Sequence, residues 1–157
     1  MATPTPVTAL ARRWRLEIDM SAAKDGSDWQ MVPGVTEFSP AAEPNIEDSS
    51  SYDSDGWAEN TKTGQSWELG VTINRKINDA VKVYHPTHEK LRAAAFAFGS
   101  ASEVRVRYYD RNGLPEAYDG IALVTWAPSG GEYTALDQVE LTLTGTGPLV
   151  SITNPVA

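Results

Sequence analysis

From Ser66 to Lys76 the side chains alternate: Trp67, Leu69, Val71 and Ile73 share one parity, and Glu68, Gly70, Thr72 and Asn74 the other. An extended strand, whose successive side chains point to opposite faces, sorts such a run into one apolar and one polar surface. A strand of this kind belongs to a sheet buried on one face only, the habit of antiparallel sheets. The pattern recurs along the chain. Trp14, Leu16, Ile18 and Met20 alternate with Arg13, Arg15, Glu17 and Asp19. Val104, Val106 and Tyr108 alternate with Arg105, Arg107 and Tyr109, and Val139, Leu141 and Leu143 with Glu140, Thr142 and Thr144. Trp29–Val32 and Val35–Phe38 read as short strands around a Pro33-Gly34 break, and Arg111-Asn112-Gly113 as a hairpin turn. Ile121–Trp126 is apolar on both parities, which places it centrally or in an interface.

One segment has the helical period instead. Pro86 suits a first helical position, the alanines favour helix, and Gly99 is a good stop, so the spacing predicts a helix over Pro86–Phe98. Its apolar stripe is Leu91, Ala94, Ala95 and Phe98, and Leu91, Ala95 and Phe98 are expected to dock it on the core. The fold class is thus mainly β with one helix (α+β): a β-sandwich or rolled antiparallel sheet with a flanking helix. The 157 residues make a single domain, 1–157, opening with a flexible Thr/Pro/Ala-rich arm over residues 1–11.

Charge is distributed unevenly. Asp25–Thr61 holds nine acidic residues and no lysine or arginine, more negative charge than the −8 of the whole chain. Within it, Ser39–Gly56 has two prolines and five serines and little to bury. Such a segment does not offset its ordering entropy by burial, so 39–61 reads as a long acidic loop, mobile alone and ordered on meeting a partner. Lys62-Thr-Gly64 reads as a turn after it. An acidic balance, with a pI near 4.7, argues against tight nucleic-acid binding.

Catalytic and metal chemistry has few candidates. With no cysteine, disulfides, thiolate metal sites and cysteine nucleophiles are excluded. His85 and His88, the only histidines, lie at i and i+3, but no third ligand has recognisable spacing, so His85 reads as a helix cap and His88 as a first-turn surface residue. Fitting Asp53-Ser-Asp55-Gly56 to a calcium loop puts Lys62 where a bidentate glutamate must stand. Neither a nucleophile elbow nor a phosphate-cradling loop is present, and Gly145-Thr-Gly147 reads as a link between strands. No enzyme, metal or cofactor is expected. Trp14 and Trp67 read as core; Trp57 and Trp126 read as interface candidates. The N-terminus lacks a secretory pattern and the apolar runs are too short to span a membrane, so a soluble chain made in the cytosol is expected.

Several stretches together resemble the tail tube (major tail) proteins of long, non-contractile-tailed bacteriophages, especially those of actinobacteria. They are Trp14-Arg-Leu-Glu-Ile-Asp19, Trp29-Gln-Met-Val-Pro-Gly-Val-Thr-Glu-Phe38, Ser51-Tyr-Asp-Ser-Asp-Gly-Trp57 and Thr61-Lys-Thr-Gly-Gln-Ser-Trp67. His85-Pro-Thr-His-Glu-Lys-Leu91, Asp119-Gly-Ile-Ala-Leu-Val-Thr-Trp126, Gly145-Thr-Gly-Pro148 and Asn154-Pro155 complete the set. His85 stands where relatives often have aspartate. The resemblance implies a structural virion protein that forms hexameric rings stacked into a tube, through which DNA passes without specific binding. It also implies tape measure, tail terminator and distal tail proteins as partners, and no membrane. The 39–61 arm sits where such proteins carry a loop that reaches the neighbouring ring, which makes Glu43, Asn45, Ile46, Glu47, Asp48, Tyr52, Asp53, Asp55 and Trp57 the inter-ring contact residues. For the channel wall, the polar parities of the two cleanest strands supply Glu68, Thr72, Asn74, Glu140, Thr142 and Thr144. Arg105 and Arg107 would grip phosphates, and are expected outside the channel or paired with a neighbour's acidic arm. The alternative reading is a ligand- or carbohydrate-binding β-sandwich module.

Overall fold

The structure, a computed structural model, describes residues 3–157. Met1 and Ala2 of the arm expected over 1–11 lie outside the described residues; Thr3–Leu10 are exposed and carry no regular structure. A seven-stranded antiparallel sheet is built from β1 (Trp14–Asp19), β2 (Trp29–Met31), β3 (Val35–Asp48), β4 (Asn60–Asn74), β7 (Glu103–Asp110), β8 (Ala117–Pro128) and β9 (Gln138–Ser151). Their order is β2-β1-β7-β8-β9-β4-β3. Between β4 and β7 come a small hairpin of β5 (Ile77–Asn78) and β6 (Val83–Tyr84) and the helix α1 (Pro86–Ala95). The sheet rolls until its ends meet: Trp14 of β1 packs on Phe38 of β3 at 6.1 Å between ring centroids, five places apart in the order. The interior is the apolar parity of each strand, including Leu16, Ile18, Leu69, Ile73, Val106, Leu141 and Leu143.

The acidic segment is a hairpin, not an irregular loop. β3 and β4 pair continuously from Val35↔Ile73 out to Asp48↔Asn60, with two register shifts, and Lys62-Thr-Gly64 lies inside β4 instead of forming a turn. Burial arguments failed here because the stabilisation is mostly backbone hydrogen bonding, which needs no apolar residues. Its prolines fit because β3 is the edge strand, half of whose N–H groups face away from the ladder, and Pro40 and Pro44 share one parity. The serine-rich tip orders itself locally. Asp48 accepts from the Ser50 N–H at 2.8 Å, Ser51 and Ser54 cap a 3-10 turn (Tyr52–Ser54) reciprocally, and Asp55 and Gly56 take positive φ to turn the chain back.

Helix α1 closes one end of the roll, with Leu91 fully buried and Ala94 nearly so. It ends at Ala95, three residues earlier than expected. Ala95 is half-buried and Phe98, expected in the core, is 93 % exposed, because the chain has left the helix and is extended at Phe98. His85 is the N-cap, accepting from the Thr87 N–H. His88, read as a surface residue, is fully buried. Its Nε2 lies 2.8 Å from the Pro33 carbonyl and its Nδ1 accepts from the Lys76 N–H at 3.4 Å, so one imidazole ties the helix to the β2–β3 bend and the end of β4. That pairing makes Nε2 the protonated nitrogen. Burial pushes the His88 pKa down, against the Pro33 hydrogen bond, with nearby Arg75 adding to the fall.

At the opposite end of the roll Trp67 packs inward, beside an open cleft also lined by Trp14, Tyr108, Tyr118 and Leu149. Its indole lies across Gly120 and Gly145: a Cβ at Gly120 would stand 2.6 Å from Cζ2, and one at Gly145 would overlap the indole still more closely. The Gly145–Gly147 stretch belongs to β9 and does not link two strands. At Pro148 the β8–β9 register slips, and the freed Gly147 carbonyl accepts from Trp67 Nε1 at 3.0 Å. A bulge resolves what composition alone read as a loop.

Candidate assembly surfaces and channel face

The outward parity of four adjacent strands forms a mainly polar grid. Cross-strand pairing aligns Leu123, Thr144, Glu68 and Ala41 in one row, then Thr125, Thr142, Gly70 and Ser39, then Ala127, Glu140, Thr72 and Glu37. Neighbouring strands stand about 4.8 Å apart and alternate residues about 6.8 Å, so the grid spans roughly 14 Å by 14 Å. It holds three carboxylates and no cation. Of the residues expected on the channel wall, Glu68, Thr72, Glu140, Thr142 and Thr144 fall within these rows, brought together by pairing across β4 and β9. Asn74 lies one step beyond them, where it accepts from Gln138 Nε2 at 2.8 Å. Glu37, Ser39 and Thr125 were missed. Their strands lacked clean alternation in sequence, and only the register shows that they share the face.

Farther round the same outer surface the residues are charged but closed on themselves. Arg105 bonds Asp119 through Nε at 3.1 Å and Nη2 at 2.6 Å. Arg107 reaches Glu17 at 2.6 Å, and Arg15 reaches the same carboxylate at 3.0 Å. Tyr109 Oη donates to Glu17 as well, at 3.1 Å. Trp29 lies against both arginines, its ring 4.5 Å from the Arg107 guanidinium carbon. Arg105 and Arg107, expected outside the channel or paired with a neighbour's acidic arm, have carboxylate partners within the same chain. Alternation had put Glu17 and Asp19 on a solvated face, yet both are buried. Burial pushes the Asp19 carboxyl up, but hydrogen bonds from Ser21 and Gly26 outweigh it and leave the pKa below the usual range.

The nine residues expected at an inter-ring contact all lie on the hairpin. Glu43, Asn45, Ile46, Glu47 and Asp48 are on β3, and Tyr52, Asp53, Asp55 and Trp57 are at or beside its tip. All are exposed, Trp57 by 80 % and Tyr52 completely. Trp126, the other interface candidate, is instead half-buried against the core, with the Arg75 guanidinium 4.8 Å from its ring. Because four of the five tryptophans are at least partly buried, they form no continuous outer platform of the kind a sugar-binding module needs. Among the described residues no three histidines or carboxylates gather as a metal site. Both His88 nitrogens are already engaged.

Comparisons with known proteins fit this geometry. The fold is similar to the tail of an empty gene transfer agent particle of C6 symmetry, at 15 % identity and TM-score 0.71, covering 93 % of this chain and 100 % of that one. It is also similar to the SPP1 tail tube, at 14 % identity and TM-score 0.64, covering 94 % and 81 %. The sheath–tube complex of an extracellular contractile injection system matches at 9 % identity and TM-score 0.59, covering 95 % and 93 %. A comparison with curated protein sequences found no match. A profile of the family described as phage tail tube protein matches residues 15–151, all of the rolled sheet but the first residue of β1. The chain belongs to the phage tail tube protein family.

Proposed function

We propose that copies of this chain close into hexameric rings and stack into the tube of a phage tail, with the three-row grid facing the lumen. Family membership makes the chain a structural component of a phage virion, a tube subunit and not an enzyme. The ring number follows the C6 symmetry of the related gene transfer agent tail. The lumen assignment rests on one observation: a sheet face with carboxylates and hydroxyls and no cation. Double-stranded DNA carries a phosphate charge about every 1.7 Å, and lysines or arginines on the wall would hold it. Glu37, Glu68 and Glu140 repel it, while Thr72, Thr142 and Thr144 hydrate the surface, so DNA slides past without lasting contacts. The 39–61 hairpin is the assembly element within a single domain. Tape measure, tail terminator and distal tail proteins are its further partners, and the chain is made in the host cytoplasm.

Negative-stain microscopy of concentrated protein tests the assembly: hollow tubes or rings are expected, and featureless particles would sink the reading. Glu140→Lys tests the lumen. Tubes should still form, but genome ejection should slow, and the defect should ease at high salt as screening shortens the Debye length. Unchanged ejection would place Glu140 away from the channel.

A further inference from the structure

The hairpin tip and the β5–β6 hairpin stand at opposite ends of one strand. β4 runs for 15 residues from Asn60 at the tip to Asn74, and Arg75 leads directly into β5. At about 3.3 Å per residue that separates them by about 45 Å. Their surfaces are complementary. From Glu37 to Glu59 there are seven acidic residues and no lysine or arginine, and Ile46, Tyr52 and Trp57 are exposed. From Arg75 to Arg92 there are five cations against two acids, and Ile77, Val81, Val83 and Tyr84 are exposed. The β5–β6 hairpin forms its own two-stranded sheet outside the rolled one, so its apolar side chains have no cover of their own. Of the cations from Arg75 to Arg92, Lys76 just before β5 and Lys90 on α1 have no carboxylate partner among the described residues, whereas Arg75 and Arg92 are held by Glu89 and Lys82 by Asp79.

We infer that the β5–β6 hairpin, with Lys76 and Lys90, is the surface on which the acidic hairpin of a second copy docks. A strand about 45 Å long holds the two surfaces of one chain apart, so the contact must form between copies. It is heterologous, one end of one copy on the other end of the next, and repeats without closing along the stacking direction. Exposed apolar side chains from both hairpins would be covered together, and the charges set the register. The other cationic candidate, Arg12 with Arg111, is less suited. β1 begins and β7 ends at the end of the roll from which the acidic hairpin emerges, and a head-to-tail contact needs the far end.

This inference rests on the tube reading, and a charge-swap experiment separates the two. One variant carries Glu43→Lys, Glu47→Lys, Asp53→Lys, Asp55→Lys and Glu59→Lys, which leaves two acids against five lysines from residue 37 to 59; the other carries Lys76→Glu and Lys90→Glu, which leaves four acids against three cations from residue 75 to 92. Each alone should stay unassembled in sedimentation velocity while keeping the wild-type thermal melt. An equimolar mixture should assemble, because every contact between unlike copies is again of opposite charge. If wild-type protein forms no tubes, the tube reading fails and takes this inference with it. If wild type assembles and either variant alone does so equally well, or the mixture does not, only the docking assignment is overturned. The cysteine-free background allows a second measurement that needs no charge change. Tyr52→Cys with Val81→Cys in one chain, treated with a short bismaleimide after assembly, should give a ladder of covalent multimers. A ladder from Tyr52→Cys with Leu10→Cys, and none from the first pair, would move the docking surface to the other end.

Discussion

Gly145→Ala is a sharp test of how the roll is packed. Gly145 has no positive φ, so alanine meets no backbone penalty there and the effect is purely steric. Its methyl would fall on the five-membered side of the Trp67 indole, touching Cε2, Nε1 and Cδ2. Gly120 floors the indole on the neighbouring strand and the Gly147 carbonyl holds Nε1 at 3.0 Å, so the ring yields only by breaking that hydrogen bond and turning toward the cleft it shares with Trp14, Tyr108 and Tyr118. Overpacking a filled core costs about 1–3 kcal/mol, and breaking the indole hydrogen bond adds about 0.5–1.5 kcal/mol. A loss of about 3 kcal/mol is expected, which for a chain of this length lowers the melting temperature by about 6–12 °C. Urea unfolding should show a lower midpoint at unchanged slope. Gly64→Ala is the control: its methyl would meet only Asn45 Cβ at 3.8 Å, and it should change stability by under about 1 kcal/mol. Trp67→Leu combined with Gly145→Ala should cost less than the sum of the two, since the smaller side chain removes the clash. Equal stability of the Gly145 and Gly64 variants, or strict additivity with Trp67→Leu, would refute this account of the packing.

Leu91→Ala should cost about 2–5 kcal/mol through lost burial and the cavity left, while Phe98→Ala should cost under about 0.5 kcal/mol; a large loss in the monomer at Phe98 would return it to the core. His88 is neutral in the fold with a lowered pKa, so the unfolded chain takes up its proton first. Its contribution is present above the unfolded value of about 6.5 and is lost as pH falls below it. Chemical denaturation between pH 7.5 and 5 should show that slope, set by His88 with Arg75, Lys76 and His85 around it, and His88→Gln should flatten it; equal slopes would mean that the imidazole is not buried neutral. Replacing Ile46–Thr63 by a two-residue Asn-Gly turn should leave a melting temperature within a few degrees of wild type, because Ser54 is the only buried residue removed. The shortened chain should not form tubes by microscopy, and tubes from it would show that the hairpin is dispensable.

Local pattern determined a good deal of this protein. Alternation in β1, β4, β7 and β9 identified strands and separated core from surface, since period 2 is a property of the extended backbone and needs no partner to be read. Pro86 and the residues after it announced a helix start for the same local reason. What the pattern left open was decided by pairing. The Ser39–Thr61 segment has no apolar period because its strands hold each other through the backbone, and hydrogen-bond ladders leave no trace in hydropathy. Glu37, Ser39 and Thr125 join the polar grid only through register, a relation between strands distant in sequence. Glu17, Asp19 and His88 read as surface residues because their types are usually solvated. The fold buries them by bringing Arg107, Gly26 and the Pro33 carbonyl to them from elsewhere in the chain. Phe98 went the other way: composition extended the helix to it, but the chain leaves the helix after Ala95 and Phe98 points into solvent. Sequence read alone sees a residue's preference for water, whereas the tertiary structure decides whether a hydrogen-bonding partner lets it do without.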